Sequence, residues 1–282
     1  MERIKQLIID NPNIAFSLKG KIYECASLII KEYPNAYKGL CNNLENLNIK
    51  YINGDINKIL NSIGAMSLYD GKENTMYISL SEAMGEYYKD MLIHELLHVS
   101  SKEDDRVGFE DLYSDYGKSL NEGLTEYMTR RILKNNNFGM LDYKNDMNNI
   151  GFISNIIPLN ILIDSYFERG LPRVVKAYYD KIGNIDNIKE ILKNMDLDHI
   201  ERVRNHNFNN KYKDTYIKLL VSELANIKPQ TETEVIKNIS SICGFIRGQY
   251  KVLGTPLSIK EDIENSINII NNKYKKINKN YG

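Results

Sequence analysis

Apolar residues recur at helical spacing along most of the chain. Ile4, Leu7 and Ile8 form one stripe, closed by Asp10-Asn11-Pro12-Asn13. Ile22, Ala26, Leu28, Ile29 and Ile30 form a second that ends before Pro34, and a third covers Tyr37 to Leu47. Residues 1–60 therefore read mostly as helices, an N-terminal helical scaffold. The pattern then shortens. The stretches 64–69 and 75–80 suit two strands, and Asp70-Gly71-Lys72-Glu73-Asn74 between them carries turn residues, which predicts a β-hairpin. Helical spacing returns near Ser81 or Glu82, covers roughly 86–101, and resumes from Leu120 to Lys134 with Ser119 or Asn121 placed to cap it. A charged connection, 102–117, lies between them and carries Tyr113 and Tyr116. Further helices are expected near 150–168, 172–183, 186–195, 210–226, 232–248 and 257–276, with Pro172 and Pro256 close to helix starts. The whole predicts a mainly α protein with a small antiparallel β-sheet, in the α+β class. It divides into 1–60, a core at 61–135 and a C-terminal helical subdomain at 136–282.

One run breaks the usual separation of apolar from polar. In Met91-Leu92-Ile93-His94-Glu95-Leu96-Leu97-His98-Val99, three ionisable side chains sit among Leu, Ile and Val. Their order is H-E-x-x-H. Residues four apart share a helix face, so His94 and His98 can aim two imidazoles at one ion. Glu95 lies about 100° around the helix from His94, near enough to meet a bound water rather than the metal. Burying these groups costs several kcal/mol unless they are paired or metal-bound. A second helix carries Asn121-Glu122-Gly123-Leu124-Thr125-Glu126-Tyr127. Two imidazoles and one carboxylate make a three-ligand Zn2+ site with a fourth position open to water. Glu122 or Glu126 can supply that carboxylate, since either can face the site from a helix.

Composition narrows the field. The chain has 282 residues and is 42% hydrophobic, enough for a substantial core. Its 37 basic and 37 acidic residues cancel, which argues against nucleic acid or an anionic membrane as the main partner. Cys25, Cys41 and Cys243 show no metal spacing and read as reduced, buried thiols. The N-terminus shows no secretion signal, and the most apolar stretch, 150–167, is interrupted by Asn155, Pro158, Asn160 and Asp164. The expectation is a cytoplasmic protein without a membrane span. No phosphate-cradling Gly-rich loop and no Gly-x-Ser-x-Gly elbow occurs.

The pair His94-Glu95-Leu96-Leu97-His98 and Asn121-Glu122-Gly123-Leu124-Thr125-Glu126 resembles the gluzincin branch of the zincin metallopeptidases. The Asn-Glu-Gly wording is similar to the aminopeptidases of that branch, and the helix-loop-helix layout to thermolysin-like enzymes. The resemblance covers about residues 64–134. It implies a zincin-like catalytic core with extra N- and C-terminal helices. It implies His94, His98 and Glu122 as zinc ligands and Glu95 as general base. It further implies that Glu126 orients a ligand histidine, a role that also makes sense unaided, because ligand imidazoles usually donate their second N–H to a carboxylate. Gly64-Ala65-Met66 echoes a strand of the aminopeptidases, but Ser67 and Leu68 stand where that family has Glu and Asn. The family's Glu holds a free α-amine, so its loss points toward cleavage inside a peptide.

The expected function is therefore a zinc-dependent peptidase acting on a peptide or protein substrate, with no nucleic-acid or membrane partner. Two alternatives stand beside it: a non-catalytic zinc-binding regulatory or interaction protein, and an effector protease with a single target. An oxyanion donor is also required. Tyr113, Tyr116, Tyr178, Tyr179, His199 and His206 are candidates.

Overall fold

The computed structural model describes residues 1–52, 67–114, 116–138, 178 and 179, 189–201, 211–226, 268 and 272. Two compact units are present. The first comprises Met1–Lys144 with Tyr178–Lys181, and the second comprises Asn145–Ala177 with Ile182–Gly282.

The first unit is built around one helix. Three helices open the chain: α1 (Glu2–Asp10), α2 (Phe16–Glu32) and α3 (Ala36–Asn43). Their buried residues follow the apolar stripes. Ile4 and Ile8 face inward on α1, as do Leu18, Ile22, Cys25, Ala26 and Ile29 on α2, and Ala36, Leu40 and Cys41 on α3. Next come β1 (Asn48–Tyr51), β2 (Ser67–Asp70) and β3 (Thr75–Ile78). The short α4 (Leu80–Met84) leads into α5 (Tyr88–Ser101), which carries the H-E-x-x-H sequence. From Asp90 to Ser101 every residue of α5 except His94 is buried. A helix apolar all round belongs inside a protein and not on its surface. Here α2, α3, β2 and a later helix, α6 (Lys118–Asn135), surround it.

Asparagines fasten these layers where helices end. Asn11 donates to the carbonyls of Leu44 and Leu47, at 2.7 and 2.9 Å, joining the end of α1 to the end of α3. Asn43 donates to Val99 O at 2.9 Å and Lys102 O at 3.0 Å. Those carbonyls belong to the last turn of α5, where Val99 O also accepts from the Lys102 N–H, and to the first residue after the helix.

The first sheet has the order β1-β3-β2. The expected hairpin is present, with β2 and β3 antiparallel and Ser67 opposite Ile78. The expectation of an antiparallel sheet needs correction, because β1 runs parallel to β3, with Asn48 opposite Thr75. The sheet is mixed. Parallel pairing needs a long connection, and the chain between β1 and β2 supplies it. Gly64-Ala65-Met66 lies outside the described residues.

The charged connection after α5 is also a sheet. Strands β4 (Lys102–Glu103), β5 (Arg106–Val107) and β6 (Glu110–Asp111) form an antiparallel meander of two-residue strands. It delivers the chain to α6, whose N-cap is Gly117 and neither Ser119 nor Asn121. Gly117 takes φ +88, and a Cβ there would collide with Phe109 O. Only glycine meets both demands.

In the second unit, α7 (Lys189–His199) packs against α8 (Lys211–Asn226). Ile191, Leu192 and Met195 on α7 are buried, as is Tyr216 on α8. The expected helices near 150–168 and 232–248, and nearly all of 172–183 and 257–276, lie outside the described residues. Cys25 and Cys41 are free and buried, while Cys243 lies outside the described residues. Among the described residues no helix is long and apolar enough to cross a membrane. The α+β class holds, with helices predominating.

Candidate metal centre

Two helices bring the chemistry together. On α5, one helical turn separates His94 from His98, and their rings meet edge to face with centroids 5.0 Å apart. The packed α6 contributes Glu122. His94 Nε2 lies 3.2 Å from His98 Nε2 and 3.2 Å from Glu122 Oε2. His98 Nε2 lies 3.5 Å from the same carboxylate oxygen. Three donor atoms thus form a near-equilateral triangle. A tetrahedral zinc ion with bonds of about 2.0–2.1 Å sets its donors about 3.3–3.4 Å apart. The triangle fits that requirement, and the donor set, two imidazoles and a carboxylate, is one zinc accepts. The His94, His98 and Glu122 side chains are 20%, 6% and 39% exposed, so the triangle is rooted in the core and reaches solvent at its Glu122 corner.

The two candidate carboxylates occupy different positions. Glu122 faces the Nε2 atoms of both histidines, whereas Glu126 Oε2 lies 3.2 Å from His94 Nδ1, on the other side of that ring. Glu126 is buried, and its Oε1 accepts from Arg130 Nε at 2.6 Å. The chain Arg130–Glu126–His94 therefore restrains the first imidazole.

The second imidazole is restrained by Asn121, which is fully buried. Its Nδ2 lies 3.3 Å from His98 Nδ1, and its Oδ1 accepts from the Phe109 N–H at 3.2 Å. A His98 that ligates through Nε2 carries its proton on Nδ1; the amide would then turn its oxygen to the ring and its NH2 to the Phe109 N–H, giving up that hydrogen bond. Gly108 leaves room for this side chain, since a Cβ there would collide with Asn121 Oδ1. The sequence suggested only a capping role for Asn121.

Glu95 is buried on α5. Its Oε1 accepts from the Ser67 hydroxyl at 2.6 Å, while its Oε2 is buried and has no hydrogen-bond partner among the described residues. Burial pushes its carboxyl above the ordinary value, against the pull of His94, His98 and Ser67. Glu122 goes the other way. Burial would raise it, but His98 and His94 hold it well below the carboxylate range. Burial likewise favours a neutral His94, yet the Glu122 and Glu126 carboxylates prevail and hold it well above its ordinary value. Glu126 is lowered despite burial, by His94 and Arg130.

Two of the six candidate oxyanion donors have their hydroxyls engaged elsewhere. The Tyr178 hydroxyl lies 2.8 Å from Thr125 Oγ1, and that of Tyr179 accepts from Ser100 Oγ at 3.3 Å. Both tyrosines are buried, as is Tyr116, whose backbone bridges to Asp111. Tyr113 is 74% exposed. His199 ends α7 in the second unit, and His206 lies outside the described residues.

No protein family, curated protein or solved structure matches this chain.

Proposed function

We propose that the chain is a zinc-dependent peptidase that cleaves within a peptide or protein. One observation carries this reading. The two imidazoles of α5 and the Glu122 carboxylate of α6 form a triangle of donors sized for zinc, and α5 also carries a buried glutamate, one of whose carboxylate oxygens has no hydrogen-bond partner among the described residues. His94, His98 and Glu122 would hold the ion. Bound there, zinc would supply a water acidified toward a pKa of about 7 and polarisation of the scissile carbonyl.

The protein's own part follows from its geometry. Glu126 presents an acceptor to His94 Nδ1, which favours ligation through Nε2 over ring rotation. Glu95 accepts the proton of the attacking water and returns it to the departing amine. Burial raises its carboxyl above the ordinary value, the direction that favours holding the proton before it is returned. Among the described residues β2 pairs on one side only, with β3. Its other edge offers backbone groups to an extended substrate, and α5 packs beside it.

The test is hydrolysis of an unstructured peptide library by zinc-loaded protein, beside a chelated sample and a Glu95→Gln variant. The variant is expected to keep its zinc and lose about 10²–10⁴ in rate, the usual weight of a general base. Unchanged cleavage by that variant would remove Glu95 from the reaction. A wild type that binds zinc but cleaves nothing would favour a zinc-binding interaction protein. Cleavage confined to one protein target would favour an effector protease.

A further inference from the structure

The general base is held from outside its own helix. Ser67 opens β2, and its hydroxyl donates to Glu95 Oε1 at 2.6 Å. That length belongs to a charge-assisted O–H···O⁻ bond. Glu95 Oε2, in contrast, is buried and among the described residues has no hydrogen-bond partner. Leaving one oxygen of a buried carboxylate unsatisfied is unfavourable, and native proteins rarely do it without a reason.

The two oxygens of a carboxylate are chemically equivalent, and rotation about the last torsion is soft and two-fold. A serine bonded to one of them removes that equivalence. We propose that Ser67 is a positioning residue for Glu95: by occupying Oε1 it leaves Oε2 to handle the proton, and it fixes the plane of the carboxylate. The inference rests on the peptidase reading and deepens it. Ser67 lies on β2, which among the described residues pairs only with β3, so the strand proposed to meet the substrate would also position the base.

The experiment uses zinc-loaded full-length protein carrying Ser67→Ala or Ser67→Thr, each alone and combined with Glu95→Gln. In peptide hydrolysis, Ser67→Ala is expected to lower kcat about 10–100-fold, as loss of an orienting partner does. KM and zinc content are expected to stay at wild-type values. Ser67→Thr restores a hydroxyl and is expected to recover most of kcat. Thermal melts without substrate supply the independent readout. There Ser67→Ala is expected to lower Tm more in the wild-type background than in the Glu95→Gln background, where the acceptor is neutral.

An unchanged kcat, a loss carried wholly by KM, or no recovery by Ser67→Thr overturns the proposal. A wild type that cleaves neither peptide nor protein overturns the hydrolytic reading instead. The melts then decide alone whether Ser67 holds Glu95, and equal Tm losses in both backgrounds would show that it does not.

Discussion

Glu126 meets His94 across the α5–α6 interface, with Oε2 3.2 Å from Nδ1, while the opposite nitrogen of that ring faces Glu122. One imidazole is thereby held between two carboxylates four residues apart on α6. Glu126→Gln keeps the shape but weakens the acceptor. Zinc affinity is expected to fall about 10–100-fold, read by competition with a chromophoric chelator. Equal affinity would show that Glu126 does not orient the ring.

The same contacts set a dependence on pH. In the metal-free chain His94 is held well above its ordinary pKa and Glu122 well below. The His94 contribution to stability is full below its unfolded pKa and disappears as pH rises through the elevated folded value. The Glu122 contribution is present above its unfolded pKa and disappears as pH falls through the depressed folded value. Chelated protein is therefore expected to melt highest between these limits and to lose Tm on the alkaline side. Zinc binding should slope the other way there. A ligand imidazole must be neutral, so affinity should rise with pH, about tenfold per unit while one proton is displaced. A zinc affinity flat across neutral pH would show that His94 is not protonated in the free chain.

Gly39 and Gly20 make a paired test of packing. On α3, a Cβ at Gly39 would run into Ser100 O, a backbone atom of α5. Gly39→Ala is expected to cost about 1–3 kcal/mol, as overpacking does. On α2, a Cβ at Gly20 meets nothing within 4 Å. Gly20→Ala is expected to add about 0.5–1 kcal/mol by raising helix propensity. Denaturant melts of the two variants would settle the comparison, and similar effects would mean that α3 does not press on α5.

Cys25 is fully buried within α2, and burial pushes its thiol far above the ordinary value. Thiolate is the reactive form, so Cys25 is expected to resist alkylation in the native protein and to react after unfolding. Peptide-level mass spectrometry after brief iodoacetamide treatment reads this directly.

The sequence displayed the two histidines because they obey a helical repeat inside an apolar run, and α5 (Tyr88–Ser101) lies close to the expected 86–101. Glu122 was legible for the same reason, but spacing alone left it level with Glu126. Three-dimensional packing separates them, since it determines which nitrogen of His94 each reaches. Strand β1 was not legible. Asn48-Ile49-Lys50-Tyr51 is half-buried to exposed, shows no clean alternation, and pairs with residues far along the chain. The two-residue strands of the β4–β6 meander are too short to carry any periodicity. Asn121 resembled a cap because Asn often is one, yet a left-handed Gly117 starts the helix earlier and turns Asn121 inward. Ser67 stood out only as the residue in place of the aminopeptidases' Glu, since one hydroxyl on a strand does not indicate what it will face.

The amide of Asn43 reaches the carbonyls of Val99 and Lys102 from a helix that precedes the histidines by some fifty positions. A fragment excised at the hairpin would keep every proposed ligand and lose this buttress, along with the α2 and α3 surfaces on which α5 rests. The minimal transplantable cassette therefore begins at the first helix, not at the motif.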